Sequence, residues 1–148
     1  MGLVSKSVLV PYANTEMFAL VSGIESYPQF LPWCAGAHVL DATPESTTAR
    51  LDVDYAGVRT HWTTINTHRA PDEISIALAD GPFRVLDGRW RFTSLAPRAS
   101  KVALDLRYEF ATRALERVVG PVFGRIASSF IDAFVKRAEA VYGAGAAA

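Results

Sequence analysis

A helical repeat of apolar positions occupies the C-terminal quarter of the chain. With residues placed at 100° intervals from Phe123, apolar side chains share one side of the helix and polar ones the other. The apolar side comprises Val119, Phe123, Ile126, Ala127, Phe130, Ile131, Phe134, Ala138 and Val141, and the polar side comprises Arg125, Ser128, Asp132, Lys136 and Glu139. The pattern predicts one long helix from near Ala114 to Gly143, kinked or interrupted at Gly120-Pro121 because proline lacks a backbone donor.

The stretch from about Ala49 to Phe110 alternates apolar and polar residues, which is typical of strands with one buried face. Turn-forming residues separate five or six predicted strands, at His38–Thr43, Thr47–Ala56, Thr60–His68, Glu73–Ala79, Val85–Ser94 and Lys101–Phe110. The connections are too short for crossover helices, so the pattern predicts an antiparallel meander.

The N-terminal region predicts smaller elements. Lys6–Val10 is a predicted strand that Pro11 ends, and Asn14 is a predicted N-cap of a short helix that stops at Gly23. A second short helix is predicted to begin at Ser26-Tyr27-Pro28. The expected fold is α+β: one domain over residues 1–143, with a curved antiparallel sheet covered by the long helix, and a disordered tail at 144–148. A curved sheet leaves space for a hydrophobic ligand between the two layers.

Composition narrows the function classes. The 15 basic and 15 acidic residues cancel, which argues against a protein that coats nucleic acid, and we expect no DNA partner. The single cysteine, Cys34, excludes an intramolecular disulfide and suits a reducing compartment. The N-terminus lacks a secretory signal and no run of about 20 uncharged apolar residues occurs, so we expect a cytoplasmic protein.

Catalytic and metal-binding patterns are weak. Asp52 and Asp54 share a strand face, but it is the polar, outer one. The histidines lack ligand-like spacing with Cys34 or with each other, and Ser128-Ser129 lack a nearby base. We therefore expect no metal site and no catalytic residue. A cyclase would use acids and bases that line the cavity. The candidates for these roles are Tyr55, His61 and Tyr108, and the sequence singles out none of them.

The order of elements resembles the helix-grip fold of START-like and Bet v 1-like proteins. Several segments are also similar to blocks of one family within that superfamily, the coenzyme Q-binding proteins and the ribosome-association toxin RatA. These segments are Tyr27–Cys34, Gly81–Phe83, Leu86–Phe92, Tyr108–Phe110, Phe134–Ala138 and Val141–Gly143. Each motif is weak alone, but their order along nearly the whole chain makes the resemblance specific.

The resemblance implies a tunnel for a polyprenylated quinone and a lipid-chaperone role in respiration, with no chemical step. Ubiquinone or a similar lipid would be a ligand, and we expect no cofactor. Bacterial relatives are also described as inhibitors of ribosomal subunit association that bind the large subunit, which is the alternative function. A basic stripe at Arg89 and Arg91, near Lys101 and Arg107, would serve that role, although acidic residues interleave with it. An oligoketide cyclase or dehydrase is the second alternative. That name rests on a shared fold, which is a poor guide to chemistry.

The hypothetical lipid site has three parts. The predicted entrance, in transient contact with the membrane surface, consists of Phe30, Leu31, Trp33 and Phe83. The tail is expected between the inner face of the sheet and the helix, against Val53, Tyr55, Trp90, Phe92, Tyr108, Phe123, Ile126, Phe130 and Phe134. Arg137, an odd charge on the apolar side of the helix, is expected to bind the quinone carbonyl or a lipid headgroup. The open alternatives are that the aromatic stripe is plain core, that the entrance residues form a rigid corner, and that Arg137 extends its charge to solvent from the helix end or pairs with a carboxylate of the sheet.

Overall fold

The structure is a computed structural model that describes residues 2–143. Within those residues the chain forms seven strands, two α-helices and one 3₁₀ helix. In chain order they are β1 (Gly2–Val10), α1 (Asn14–Ser22), the 3₁₀ helix (Ile24–Gln29), β2 (Cys34–Ala42), β3 (Ser46–Tyr55), β4 (Val58–Arg69), β5 (Glu73–Asp80), β6 (Phe83–Ala96), β7 (Ala99–Phe110) and α2 (Arg113–Tyr142). All six strands predicted after residue 37 are present, and β1 begins four residues earlier than predicted. The predicted disordered tail, 144–148, lies outside the described residues.

The strands form one antiparallel sheet in the order β1-β7-β6-β5-β4-β3-β2. Six consecutive strands pair as the predicted meander, and β1 returns to pair with β7. Register shifts interrupt the pairing at several places, including Cys34/Gly36 in β2 and Thr63/Thr64 in β4. Such bulges bend a strand and increase its twist, which curves the sheet around its apolar face.

Helix α2 covers the concave face of this sheet. Its buried side chains repeat at helical spacing: Val119, Val122, Phe123, Ile126, Ala127, Ile131, Phe134 and Ala138. The helix is long and apolar enough to qualify as a membrane span, with a mean hydropathy of 1.4 in its best window. Because this apolar stripe packs on the sheet, burial in the protein core accounts for the composition.

Two predicted helix details differ from the structure. The sequence predicts a kink or an interruption at Gly120-Pro121, and helix α2 continues through both residues without an interruption. Pro121 is exposed, and the loss of one backbone hydrogen bond there is tolerated because the rest of the helix is held by the sheet. Asn14 is the first residue of α1 and its N-cap is Ala13, whose N–H donates to the Glu16 carboxylate at 3.0 Å. The side chain that accepts a backbone N–H at this end of α1 is therefore that of Glu16, not Asn14.

Ser100 ties the sheet to the N-terminal connection. Its side chain is completely buried, and its Oγ donates to the backbone carbonyl of Tyr12 at 2.9 Å. Tyr12 lies between β1 and α1, so this hydrogen bond fixes the start of the helical layer on β7. A buried carbonyl that loses its donor retains its desolvation cost.

We expect Ser100→Ala to lower the free energy of unfolding by about 1–3 kcal/mol, because the Tyr12 carbonyl is left unpaired. Ser94→Ala is the matched control, since Ser94 is the register partner of Ser100 but its side chain is exposed. Urea denaturation of both variants measures the difference. Equal losses in the two variants would show that the buried hydrogen bond has no special role.

Candidate ligand-binding site

Aromatic rings fill most of the space between the sheet and α2. Phe123 sits at the centre of one group, with its ring centroid 4.6 Å from Tyr108, 4.9 Å from Phe83 and 5.2 Å from Trp62. A second group surrounds Phe134, whose ring is 5.4 Å from that of Trp90. Most of these pairs are edge-to-face, a geometry that adds to the stabilisation from burial.

A cavity of about 70 Å³ remains between these groups. It is bounded by α1, the 3₁₀ helix, strands β3 to β7 and α2, and its lining is largely apolar. The lining residues are Val21, Ser22, Ile24, Tyr27, Leu51, Trp62, Thr64, Asn66, His68, Ile74, Ile76, Leu86, Trp90, Leu104, Leu106, Phe123, Phe130 and Phe134. A space of this size holds a few water molecules, whereas pockets for drug-sized ligands measure about 300–1,000 Å³. An isoprenoid tail therefore requires aromatic side chains or α2 itself to move.

One wall of the cavity is polar, and sequence reasoning missed it. Thr64, Asn66 and His68 project inward from β4, on the same strand phase as Trp62. Thr64 Oγ1 donates to Asn66 Oδ1 at 2.9 Å. The available signal was the period of two from Trp62, which places every second residue of this strand on the inner face whether it is polar or not.

His68 is the ionisable group of this wall. Its Nε2 lies 3.4 Å from Thr47 Oγ1, and its ring packs edge-on against Phe18 with centroids 6.1 Å apart. Burial lowers the pKa of His68, because desolvation disfavours the imidazolium form. The imidazole is therefore neutral at neutral pH.

The predicted site residues divide into three groups. Four line the inner cavity: Trp90, Phe123, Phe130 and Phe134. Five line a groove of about 730 Å³ on the outer side, between the segment Gln29–Trp33 and α2, which we call the outer groove: Phe30, Trp33, Tyr55, Ile126 and Arg137. Five line neither space and belong to the packed interior: Leu31, Val53, Phe83, Phe92 and Tyr108.

The expected entrance is not open in this structure. Trp33 and Phe83 are only 3% and 5% exposed, so neither forms a lip at the surface. Phe83 is the first residue of β6, where its inward phase stacks it on Phe110 at 5.0 Å between ring centroids. Phe30 is half-buried at the edge of the outer groove. Contact with a membrane through Trp33 or Phe83 thus requires a more open conformation.

Arg137 lies on the outer groove. Its Nη2 donates to Gln29 Oε1 at 3.0 Å, and its guanidinium carbon lies 5.0 Å from the centre of the Phe30 ring. The Arg137 side chain joins α2 to the end of the 3₁₀ helix through the Gln29 amide and the Phe30 ring. These contacts take the place of the carboxylate pair that the sequence left as an alternative. This contact explains a charge on the apolar side of the helical wheel.

The outer face of the sheet carries paired charges. Each arginine of the predicted basic stripe faces a carboxylate on a neighbouring strand: Arg91–Asp105 at 2.7 Å, Arg107–Asp87 at 2.8 Å and Arg89–Glu73 at 3.6 Å. Hydrogen bonds from Ser5 and Arg91 lower the pKa of Asp105. The stripe is therefore close to electrically neutral, which weakens its attraction for a phosphate backbone.

Asp52 and Cys34 have shifted pKa values in the folded protein. Hydrogen bonding from Arg50, with a further contribution from His38, lowers the pKa of Asp52 on the outer face. Burial raises the pKa of the Cys34 thiol to about 11, so it is protonated at neutral pH and a poor nucleophile. Among residues 2–143 no group of three or more potential metal-binding side chains comes together.

Two curated relatives indicate where this chain belongs. The ribosome association toxin RatA of Escherichia coli (strain K12) is 40% identical over 144 residues, covering 97% of this chain and 91% of that protein. The mitochondrial coenzyme Q-binding protein COQ10 homolog B of Xenopus laevis is 25% identical over 143 residues, covering 94% of this chain and 59% of that protein. The resemblance found in the sequence motifs is thus confirmed.

Solved structures with the same architecture confirm the helix-grip fold. The Zhui aromatase/cyclase from Streptomyces sp. R1128 has a TM-score of 0.79 and 20% identity, covering 97% of each chain. A START superfamily protein from Mycobacterium smegmatis has a TM-score of 0.76 and 24% identity, covering 94% of this chain and 98% of that chain. At these identities the similarity concerns the fold alone.

The match to a family profile covers both layers of the fold. Residues 10–135 fit the family described as polyketide cyclase / dehydrase and lipid transport. This range runs from the end of β1 through the meander and most of α2, so it includes the inner cavity and the segment that borders the outer groove. The chain belongs to the polyketide cyclase/dehydrase and lipid transport family.

Proposed function

We propose that this protein binds a neutral isoprenoid quinone, or a lipid of closely similar chemistry, between the sheet and α2 and carries it without a chemical step. The observation that carries the proposal is the inner cavity itself: apolar side chains surround it on nearly all sides and one short polar wall faces into it. Such a lining suits a hydrophobic molecule that has a few polar atoms. The name of the coenzyme Q-binding relative supports the quinone class.

The energetics favour a flexible, largely apolar ligand. Burying apolar surface is worth about 25 cal/mol per Å², so each isoprene unit contributes roughly 2 kcal/mol before ordering costs. The ligand has to displace aromatic rings that pack on one another in the closed state, and that cost is subtracted from the gain. A long tail therefore binds much more tightly than a short one, because the cost of opening is met once while the gain grows with length.

A carrier role agrees with the chemistry of the cavity. Tyr27, the phenol that borders it, donates to the Val21 carbonyl, and burial raises its pKa well above the usual range for tyrosine. His68 is held neutral by the same effect. The hydrogen-bond partners of these two groups are a backbone carbonyl and the Thr47 hydroxyl, whereas proton transfer in a cyclase requires an acid and a base poised near the working pH. The names of the curated relatives also describe binding rather than catalysis.

We expect Ile76→Phe to lower the affinity for a decyl-substituted benzoquinone at least tenfold, because the added ring occupies the inner cavity. Ile65→Phe is the matched control, since Ile65 lies on β4, one strand away, with its side chain on the exposed outer face. Quenching of tryptophan fluorescence by the quinone measures both affinities. Equal binding by the two variants would contradict a ligand in this cavity.

We expect the free energy of unfolding to fall on acidification because of His68. Burial holds its folded-state pKa below the unfolded value of about 6.5, so the unfolded chain takes up the proton first. The loss begins near pH 6.5 and grows until the pH falls below the folded-state pKa. Denaturant titrations between pH 5 and 7.5 should show a smaller decline for His68→Gln than for the unmodified protein. The control is His61→Gln, on the outer face of the same strand, which should lose as much free energy of unfolding on acidification as the unmodified protein. If His68→Gln loses as much as the unmodified protein, His68 is not the origin of the pH dependence.

Binding to the large ribosomal subunit is the second candidate function, and the 40% identity to the ribosome association toxin over nearly the whole chain favours it. This role would place the protein in the cytoplasm, whereas quinone delivery would also bring it to a membrane surface. The two roles use different surfaces, since a ribosome contacts the outside of the sheet or helix and a lipid enters the interior. Both can therefore belong to one protein.

We expect the ribosome role, if the sheet face carries it, to depend on Arg89 and Arg91. The double variant Arg89→Glu, Arg91→Glu should co-sediment with large subunits several-fold less than the unmodified protein, because it leaves Glu73 and Asp105 unpaired beside two further negative charges. The matched control reverses Arg50 and Arg59, which are also ion-paired but lie on β3 and β4. Absence of the unmodified protein from the large-subunit fraction would exclude the function altogether.

A further inference from the structure

The outer groove combines an apolar floor with a charged rim. Phe30, Pro32, Trp33, Ile126 and Ala133 supply apolar surface along its length. Three cations and one anion border it: Arg125, Lys136, Arg137 and Asp132. Such a lining fits an amphiphile whose polar end carries oxygen acceptors, because cationic and N–H groups attract partial negative charge.

Trp33 provides the most specific feature of this groove. Its indole Nε1 is buried and has no hydrogen-bond partner, the only such side-chain atom among residues 2–143. The indole N–H is a donor only, and no acceptor of residues 2–143 pairs with it, so an acceptor oxygen of a bound molecule that reaches it would satisfy it. Leaving a buried N–H unpaired is costly, and buried polar groups in folded proteins are rarely left so.

Phe130 lies between the outer groove and the inner cavity. It lines the cavity, whereas Trp33 lines the groove, and their rings contact each other edge-on with centroids 5.5 Å apart. The Phe130 ring also lies edge-on to Trp90, at 6.4 Å between centroids, and Trp90 lines the cavity. Phe130 is only half-buried, unlike the neighbouring Phe134 of the same helix, so its ring has more freedom to change rotamer.

We propose that the outer groove binds the oxygen-bearing head of an amphiphile, with Trp33 Nε1–H donating to a carbonyl or hydroxyl oxygen, and that Phe130 is the movable side chain joining this groove to the inner cavity, which takes the tail. The inference rests on the proposed lipid-binding function and adds to it a head site and a route. A quinone ring satisfies the chemistry of the groove because it is flat, apolar on its faces and carries two carbonyl acceptors. The movement of Phe130 also enlarges the small cavity at the point where a tail enters it.

The test of the head site is an NMR titration of protein labelled with ¹⁵N in its three tryptophan indoles. Trp33→Phe, which keeps an aromatic ring but removes the N–H, assigns the Trp33 signal. On addition of a decyl-substituted benzoquinone we expect this signal to move downfield, as a new hydrogen bond requires. Pristane, a branched hydrocarbon without oxygen, should leave the signal near its starting position.

Affinities separate the head site from the tail site. Trp33→Phe should bind the quinone five- to tenfold more weakly and pristane within twofold of the unmodified protein. If Trp33→Phe is too unstable to measure, the shift in the unmodified protein, assigned through triple-resonance spectra, decides the matter alone. An unmoved Trp33 signal, or undiminished quinone affinity in Trp33→Phe, overturns the head site while quinone binding by the unmodified protein leaves the proposed function standing. Failure of the unmodified protein to bind either probe overturns both.

The route is tested by kinetics. Phe130→Ala removes the partition, so stopped-flow mixing should show association and dissociation of the quinone both accelerated about tenfold or more, with a smaller change in their ratio. Val118→Ala, an exposed position on the same helix, should leave both rates unchanged. Unaltered rates in Phe130→Ala would exclude this side chain as the gate.

Discussion

The packing of one 30-residue helix against the concave face of one curved sheet is the interaction on which this structure depends. Helix α2 is the main element packed on the apolar face of the sheet. The large side chains on its buried face therefore both stabilise the fold and determine how much space is left for a ligand. Phe123 and Phe134, each 1% exposed, hold the two aromatic groups together. The same rings occupy the volume that an isoprenoid tail would need, which is why the closed state keeps a cavity of only about 70 Å³.

The proposed carrier fills its ligand space with its own aromatic side chains when no lipid is bound. A protein with a permanently open tunnel would leave a large apolar surface in contact with water, at a cost in stability. Filling the interior with aromatic rings that contact one another avoids that cost, since the rings pack together when no lipid is present. Phe130 is half-buried, and its ring contacts that of Trp33, whose indole N–H is buried and unpaired. The proposed head site and route lie at these two residues.

Charged side chains on the outer face of the sheet neutralise each other in local pairs and do not form a patch of one sign. Arg91 with Asp105 and Arg107 with Asp87 are pairs across neighbouring strands, and exposed pairs of this kind contribute little to stability. Their effect is to keep the outer face of the sheet neutral and open to contacts that need not be strongly electrostatic. If the proposed ribosome binding uses this face, it depends on shape complementarity and on arginines that exchange a carboxylate partner for a ribosomal one. The net charge of the face then matters less.

The amino-acid sequence by itself determined the architecture. Alternation along β3, β6 and β7 predicted which side chains face inward, and the helical repeat from Val119 to Ala138 predicted the cover, because these periods are properties of the backbone. The motifs from Tyr27 to Gly143 predicted the family, which the relatives confirm. Only the tertiary structure decided how much space is left between the layers and which residues border it. Trp33 and Phe83 are buried rather than exposed, and Thr64, Asn66 and His68 form the polar wall, because the bending of strands by bulges and the mutual fit of the rings are set by contacts between residues far apart in the chain.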